Sequence, residues 1–403
     1  MRPVGVGSEA AMADQPVERE QRVTPLELFF DLVFVFAITQ VTGLMSDDPT
    51  WGGIGHGLLV LAALWWLWTG YAWLTNSLEP EQGLVRLGMF VAMVGMFLLA
   101  LAVPRAFGSG GVLFGVAYIV VRVINLLLYT FSARGDRDLL RALKRFALTE
   151  MIGPLLIIAA GLVEDPWRVA LWVLALVATY SGVVIGRGIA RPISPSHFAE
   201  RYGLIVIIAL GESVIALGVG AAHLSLTPGI VAASVLGIVV IAALWWAYFD
   251  VLAVLARQRL SETSGGAQTQ LARDYYRYLH LPMVAGIVLF ALGLEGTIEQ
   301  VDEPLHSVSA VALCGGLSMY FLTHVALRIR VVYFVRHHTT ERPGWIGPGR
   351  LVAGISVLAL IPAALELPAL VSLGLAAAVC CALIGWDVIH YREHRVEVRR
   401  ARP

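Results

Sequence analysis

The chain carries little charge and few cysteines. Only 14% of its 403 residues are Asp, Glu, Lys or Arg, whereas 58% are hydrophobic. Because a soluble protein of this length needs far more charge to cover its surface, the composition excludes an ordinary soluble domain. The three cysteines, Cys314, Cys380 and Cys381, all lie within apolar segments, which argues against a disulfide framework.

Motifs that would indicate a soluble enzyme or a nucleic-acid-binding module are missing as well. The chain has no glycine-rich phosphate loop, no nucleophile elbow, no Cys-x-x-Cys and no His-Glu-x-x-His. We therefore expect no cofactor, no metal site, no nucleic-acid partner and no enzymatic activity. The first 22 residues are polar, and nothing in them predicts a removable signal peptide.

Apolar segments long enough to cross a bilayer recur from one end of the chain to the other. They predict an all-α, polytopic membrane protein with about twelve transmembrane helices. The eleventh segment is short and contains Pro362, which makes it the weakest of the set. The predicted segments cover residues 28–45, 57–75, 84–103, 111–131, 146–163, 167–186, 202–221, 229–255, 281–298, 308–327, 351–365 and 367–389.

Basic residues are distributed unevenly between the predicted loops. If the N-terminus lies in the cytoplasm and twelve segments alternate, 25 of the 29 Lys and Arg residues fall on the cytoplasmic side. This count places Arg201, Arg277 and Arg350 in cytoplasmic loops. Because the cytoplasmic loops of membrane proteins carry such an excess, we expect a plasma-membrane protein with both termini in the cytoplasm.

The two halves of the chain resemble one another. The tryptophan pair 65–66 returns as the pair 245–246, 180 residues later, and Glu27 is followed by Glu200 at a spacing of 173. Six helices in each half would let both halves enter the membrane from the same side, as two parallel six-helix repeats. The predicted divisions are a polar tail at 1–26, repeats at 27–190 and 191–391, and a basic tail at 392–403.

Ionisable side chains inside the predicted spans are the candidate functional groups. A charge at the centre of a bilayer costs about 2.5–3.5 kcal/mol on insertion scales, so such residues pair with one another or line a wet cavity. We single out seven as candidates for binding substrate or protons: Asp31, Arg86, Arg122, Glu150, Glu212, His280 and His324.

The repeat alignment relates several of these candidates. It matches Arg86 with His280 and Arg122 with His324. Fixed positive charge in one half thus corresponds to titratable imidazole in the other. In the same alignment Thr39 matches Glu212.

This arrangement leads to a first functional hypothesis. It is a proton- or ion-coupled secondary transporter whose site lies between the halves and uses Glu212, Arg122, His324 and His280. Its expected partners are the lipid bilayer and a small solute or ion. The structural alternative is that Arg122 and Glu212 form an ion pair with no transport role. Packing also explains the aromatic cluster of the second segment more simply than ligand binding does: Trp65, Trp66, Trp68, Tyr71 and Trp73.

Three stretches resemble one protein family. VTPLELFFDLVFVFAITQVT (residues 23–42), ERYGLIVIIALGESVIALG (200–218) and YYRYLHLPMVAGIVL (275–289) are similar to signatures of the bacterial low temperature requirement A (LtrA) family. That family is named for a growth phenotype in the cold, so the resemblance implies no substrate. The signature positions that it implies are Glu27, Asp31, Glu200, Arg201, Gly211, Glu212, His280 and Pro282.

A second, shorter likeness leaves other functions open. FFDLVFVFAIT (residues 29–39) is similar to the first helix of two-repeat potassium channels that open with Phe-Ser-Asp, although Phe30 stands in place of the serine. The alternatives are therefore an ion channel lined by helices 1 and 7, or a membrane-embedded enzyme or structural protein that supports growth in the cold.

Overall fold

In the computed structural model, the described residues are 22–78, 80–81, 83–134, 137–185, 193–338 and 348–390, and across these ranges the chain is almost entirely helical. The predicted C-terminal tail and residues 1–21 of the N-terminal tail lie outside the described residues. The expectation of an all-α protein is confirmed.

The helices follow one another with short connections. A 3-10 turn (Val103–Arg105) extends α3, and two π-helical turns, Tyr248–Leu252 and Arg273–Tyr278, follow α8 and α10. The α-helices are α1 (Pro25–Asp47), α2 (Trp51–Thr75), α3 (Gly83–Ala102), α4 (Gly111–Ser132), α5 (Arg137–Ala160), α6 (Trp167–Ile185), α7 (Pro195–Ala222), α8 (Pro228–Ala247), α9 (Ala253–Ser261), α10 (Gly265–Ala272), α11 (His280–Glu299), α12 (Ser307–His338), α13 (Gly349–Leu358), α14 (Ile361–Ala364) and α15 (Ala369–His390).

Within the described ranges, nine helical runs are long and apolar enough to cross a membrane. Three shorter apolar helices, Ala147–Ala160, Trp167–Ser181 and Gly349–Ala364, lie at the predicted fifth, sixth and eleventh segments. The chain is therefore a multi-pass membrane protein. The count of twelve membrane crossings stays a prediction.

Several helices extend beyond the segments predicted for them, among them α7 and the helical run that begins with α8. The seventh segment was predicted to begin at residue 202, but α7 begins at Pro195 and so includes Arg201. The eighth was predicted to end at residue 255, but its helix continues through the π-helical turn to Ser261. An apolar run ends at the first charged residue. A helix continues as long as its backbone hydrogen bonds form and its charged side chains have partners.

The start of α1 is specified by its sequence. The Thr24 hydroxyl accepts the backbone N–H of Glu27, and the Glu27 carboxylate accepts the N–H of Thr24, which is a capping box. Pro25 occupies the first turn, where its missing N–H costs nothing. This cap also fixes where the Glu27 carboxylate lies.

Helix packing divides into two groups that meet at α1 and α7. In the first group α1 packs against α2 and α3, α4 packs between α3 and α5, and α6 packs against α5 and α2. In the second group α7 packs against α8 and α11, α12 packs between α11 and α13, and α15 packs against α13 and α8. The two groups touch where α1 and α2 contact α7 and α11.

The duplicated tryptophan pair occupies different environments in the two groups. Trp65 and Trp66 are fully buried in α2, whereas Trp245 and Trp246 of α8 are 47% and 37% exposed. Many other large apolar side chains are exposed on the outer helix faces, as expected for helices surrounded by lipid.

Small residues allow one close crossing in the first group. A Cβ on Gly115 of α4 would lie 2.9 Å from the backbone of Ile158 in α5, and one on Gly111 would lie 2.9 Å from the Cα of Gly161. The four-residue glycine spacing in α4 therefore marks a tight helix crossing.

Candidate functional site

Four buried ionisable residues meet where α1 and α7 begin, and we name them the charged cluster: Glu27, Asp31, His197 and Arg201. A His197 Nε2–Glu27 Oε2 distance of 3.1 Å and an Arg201 Nη2–Asp31 Oδ1 distance of 3.1 Å join the two helices. The Arg201 Nε lies 3.8 Å from the second Glu27 oxygen. All four side chains are essentially inaccessible.

Asn76, at the end of α2, positions the histidine of this cluster. Its carboxamide oxygen accepts the N–H of Ser194, and its Nδ2 donates to the Ser194 carbonyl and contacts His197 Nδ1 at 3.1 Å. Since an amide N–H can only donate, His197 Nδ1 accepts, which leaves Nε2–H to donate to Glu27. The cluster therefore holds two carboxyl groups against one guanidinium group and one imidazole.

Trp68 connects the charged cluster to α2. Its indole N–H donates to Asp31 Oδ1 over 2.9 Å, and the Arg201 guanidinium lies 5.8 Å from the centre of its ring. One carboxylate oxygen of Asp31 and all three guanidinium nitrogens of Arg201 make no hydrogen bond of good geometry within the described residues.

Glu212 lies near the middle of α7 and faces α1. The Thr39 hydroxyl of α1 donates to Glu212 Oε2 over 2.6 Å, and the Glu212 side chain is buried. The two residues that the repeat alignment matches at a spacing of 173 are therefore in direct contact.

Glu212 differs from the other buried carboxyl groups. No Arg, Lys or His of the described residues lies within ion-pair distance of it. Each of the other four buried acidic residues has such a partner: Glu27, Asp31, Glu150 and Asp387.

A second ion pair lies inside the first helix group. Arg122 of α4 pairs with Glu150 of α5, and Trp66 of α2 donates its indole N–H to the same carboxylate oxygen over 3.0 Å. Arg122 also donates to Asn125 Oδ1 over 3.3 Å. The sequence hypothesis that paired Arg122 with Glu212 is wrong, because each residue contacts a different partner.

The two candidate histidines lie in the second group, among tyrosines. His280 Nδ1 lies 2.9 Å from the Tyr275 carbonyl, and its Nε2 lies 2.9 Å from the Tyr248 hydroxyl. A carbonyl only accepts, so Nδ1 carries the proton and Nε2 accepts from Tyr248. His324 is buried beside the ring of Tyr320 at 4.4 Å, and neither of its ring nitrogens has a hydrogen-bond partner among the described residues.

The candidates therefore separate into distinct places rather than one site. The structure brings Asp31 together with Glu27 and Arg201, and Glu150 with Arg122. His280 and His324 share one aromatic neighbour, Tyr248. Arg86 is exposed on α3. The prediction that Arg86 lies in the bundle interior is wrong, because the α3 face that carries it points away from the core.

The remaining signature positions have diverse surroundings. Glu200 is exposed and accepts the backbone N–H of Val23 over 3.2 Å. Gly211 precedes Glu212 and faces open space. Pro282 lines a shallow groove of about 420 Å³ between α11, α12 and α13.

Sequence reasoning missed several buried basic groups. Arg201, Arg277 and Arg350, which were assigned to cytoplasmic loops, are 0%, 9% and 3% exposed. Arg350 pairs with Asp387 over 2.9 Å. His197 was not considered, although its position two residues after Pro195 at a helix start was visible. Because arginines near helix ends were all counted as cytoplasmic loop residues, the burial of these three was not predicted.

The polar groups between α1 and α7 are carboxyl, imidazole, guanidinium and hydroxyl groups. Across the described ranges, no group of three or more His, Cys, Asp or Glu residues is arranged to hold a metal ion. The structure instead places carboxyl, imidazole and hydroxyl groups between α1 and α7, where they can exchange protons or coordinate a small cation.

Comparisons with known proteins agree with the signatures. The chain is 37% identical over 281 residues to an uncharacterized protein of Rhizobium meliloti (strain 1021). The matched region covers 66% of this chain and 67% of the relative. No solved structure matches the chain. The family model for the bacterial low temperature requirement A protein (LtrA) matches residues 22–385. The chain therefore belongs to the bacterial low temperature requirement A family.

Proposed function

We propose that this protein is an ion-coupled secondary transporter in which Glu212 binds the coupling proton or a small cation between α1 and α7. The observation that carries the proposal is the surroundings of Glu212, whose carboxyl group is buried and contacts the Thr39 hydroxyl but has no basic partner among the described residues. The proposal assigns the chain no enzymatic role.

The cost of burying charge supports this role. A buried carboxylate that lacks a positive partner costs several kcal/mol, so such a group either takes up a proton or binds a cation. Glu150 and Asp31 avoid this cost through arginines. For Glu212 the compensating charge must come from a bound ion, which is the property that a coupling site requires.

The packing supports two equivalent halves. Contacts of α1 with α2 and α3 correspond to contacts of α7 with α8 and α11, and the α3–α4–α5 series corresponds to α11–α12–α13. Tyr71 of α2 donates to the Val121 carbonyl of α4 over 2.8 Å, and Tyr320 of α12 donates to the Leu244 carbonyl of α8 over 2.7 Å. Two parallel repeats of six helices would produce these correspondences.

The position of Glu212 between the two groups suits alternating access. Transport sites of repeat-built carriers lie near the middle of the membrane where the repeats meet. Thr39 and Glu212 lie within α1 and α7, where the two helix groups touch, while the charged cluster holds the same two helices together at one end. Movement of α1 against α7 would then open Glu212 to one side at a time.

The proposal includes an orientation in the plasma membrane. Both termini lie in the cytoplasm, which is the arrangement that places most basic loop residues inside. The charged cluster, at the starts of α1 and α7, then faces the cytoplasm.

Flux in proteoliposomes under proton, sodium and potassium gradients tests the proposal. We expect gradient-dependent flux in the wild type and loss of that flux in Glu212→Gln, because the amide cannot bind a proton or a cation in the same way. Glu164→Gln, in the exposed connection between α5 and α6, is the matched control and should transport normally.

Two results would contradict the transporter. A folded Glu212→Gln variant with full gradient-dependent flux would remove Glu212 from the mechanism. Single-channel current steps without saturable exchange would instead favour the ion channel lined by α1 and α7.

A further inference from the structure

Arg277 is a buried arginine that has no acidic partner among the described residues. Its side chain is 9% exposed and makes no hydrogen bond or ion pair within the described residues, and its Nε is buried without an acceptor. Its guanidinium instead lies over two tryptophan rings, 4.8 Å from the centre of Trp66 and 5.0 Å from the centre of Trp73. Such cation–π contacts hold a guanidinium in place but leave its charge uncompensated.

Trp66 and Trp73 flank Gly70 on α2, and we name this part of the helix face the notch. They share one helix face with Gly70, which lies between them at helical spacing. A Cβ on Gly70 would come within 2.9 Å of Arg122 Nη1 and 3.4 Å of Asn125 Oδ1. The absence of a side chain at this position therefore lets Arg122 approach α2 at the level of the notch.

Two arginines thus converge on the notch from different helix groups. Arg122 reaches it from α4, and Arg277 reaches it from the π-helical turn before α11. Trp66 connects the two arginines. Its indole N–H donates to the Glu150 carboxylate that pairs with Arg122, and its ring lies under the Arg277 guanidinium. Rare π-helical turns of this kind are often found at functional sites.

Hydrogen-bond donors outnumber acceptors around the notch. Besides the Nε of Arg277, Arg122 Nε and Asn125 Nδ2 are buried and have no hydrogen-bond partner within the described residues, whereas Glu150 Oε1 is the acceptor in the same condition beside them. Glu150 is the acidic residue paired with Arg122, so two guanidinium charges are present beside one carboxylate. A negatively charged ligand with several acceptor oxygens would satisfy these groups.

We propose that the notch formed by Trp66, Gly70 and Trp73, together with Arg122, Asn125 and Arg277, binds a small soluble oxyanion. Guanidinium groups match the paired oxygens of carboxylates and phosphates, and the tryptophan walls suit a flat or apolar body next to the acidic group. The inference goes beyond the proposed function, because Glu212 is assigned a proton or a cation and this second site takes an anion.

Direct binding tests this site without transport, so its outcome is separate from that of the Glu212 test. The full chain is reconstituted in nanodiscs of neutral phosphatidylcholine and titrated with benzoate or inorganic phosphate by calorimetry, at ionic strength held constant with chloride. We expect saturable binding of at least one of these oxyanions, and about tenfold weaker binding in Arg277→Gln because charge-assisted hydrogen bonds are lost.

Arg277→Gln leaves no buried carboxylate without its partner, so its fold should be retained. Gly70→Ala is a second variant, whose added methyl group displaces Arg122 from the notch and should also weaken binding. Arg105→Gln, at an exposed arginine, is the matched control and should bind like the wild type.

Three results would overturn the proposal: no binding of either oxyanion at constant ionic strength, unchanged binding in both variants, or stabilisation by phosphatidylglycerol that neither soluble anion reproduces. In the last case the occupant would be a lipid headgroup.

Discussion

The buried ionisable side chains of the described residues differ in how their charge is compensated. Arg201 faces two carboxylates, Arg122 faces one, and Arg277 contacts aromatic rings. Glu212 contacts the Thr39 hydroxyl and no basic side chain of the described residues. Removing one partner of a compensated group leaves a buried charge alone and destabilises the fold, whereas the uncompensated groups are the places where we propose that an ion binds.

Replacing Arg201 tests the charged cluster as a structural element. Arg201→Met leaves Glu27 and Asp31 buried without their guanidinium partner, so we expect a loss of about 3–5 kcal/mol of unfolding free energy. Adding Asp31→Asn removes one of these charges and should recover about 0.5–3 kcal/mol of that loss. Thermal unfolding in detergent measures both changes.

The control for this cycle is Arg259→Met. Arg259 pairs with Glu262 over 2.6 Å at the end of α9, where the Glu262 side chain is 36% exposed. Surface pairs of this kind contribute about 0–1 kcal/mol. Strictly additive effects of Arg201→Met and Asp31→Asn would show that the two residues are not coupled.

Sequence patterns identified the buried charges better than their pairing. Asp31, Arg122, Glu150, Glu212, His280 and His324 were all predicted to face the interior, and all are buried. The cost of a charge in the bilayer predicts that these side chains face inward, but the partner of each depends on how the helices cross. Arg122 therefore pairs with Glu150, 28 residues away, and not with Glu212.

At the scale of helices, the α4–α5 crossing holds the Arg122–Glu150 pair in register. The crossing places Gly115 against Ile158, on the same two helices as the ion pair. A side chain at Gly115 would separate α4 from α5 and so stretch the pair.

Gly115→Ala measures the importance of this crossing. The new methyl group would meet backbone atoms of Ile158 at 2.9 Å, so we expect a loss of about 1–3 kcal/mol of unfolding free energy. Gly218→Ala in α7 is the control, because nothing lies within 4 Å of the added Cβ. Its effect should be neutral or slightly stabilising, and equal melting temperatures for the two variants would contradict the tight crossing.

Helix ends were less predictable than helix positions. Every predicted segment contains a helix, yet α7 begins seven residues before the apolar run that predicted it. The additional turns carry His197 and Arg201, which are polar and would lower any hydropathy average. Their burial depends on Glu27, Asp31 and Asn76, which are distant in sequence, so a local pattern cannot reveal it.

For the whole molecule, the number of membrane crossings decides which loops face the same side. Nine helical runs in the described residues have full spanning length, and three shorter apolar helices accompany them. If the helices at Ala147–Ala160 and Trp167–Ser181 both cross, Glu164 between them faces the outside. If neither crosses, Glu164 faces the cytoplasm. The helices Gly349–Leu358 and Ile361–Ala364 likewise decide the side of the C-terminus.

Cysteine labelling distinguishes these topologies. In a background with Cys314, Cys380 and Cys381 replaced by alanine, we expect Glu164→Cys to react with a membrane-impermeant maleimide in intact cells. Glu262→Cys, between α9 and α10, should react only after permeabilisation. An epitope at the C-terminus should likewise be inaccessible until the cells are opened, because twelve crossings return the chain to the side where it began.

Labelling of Glu164→Cys only after permeabilisation would mean that the two short helices do not cross. A C-terminal epitope exposed on intact cells would mean that the broken helix pair α13–α14 does not cross, and it would rule out two complete six-helix repeats.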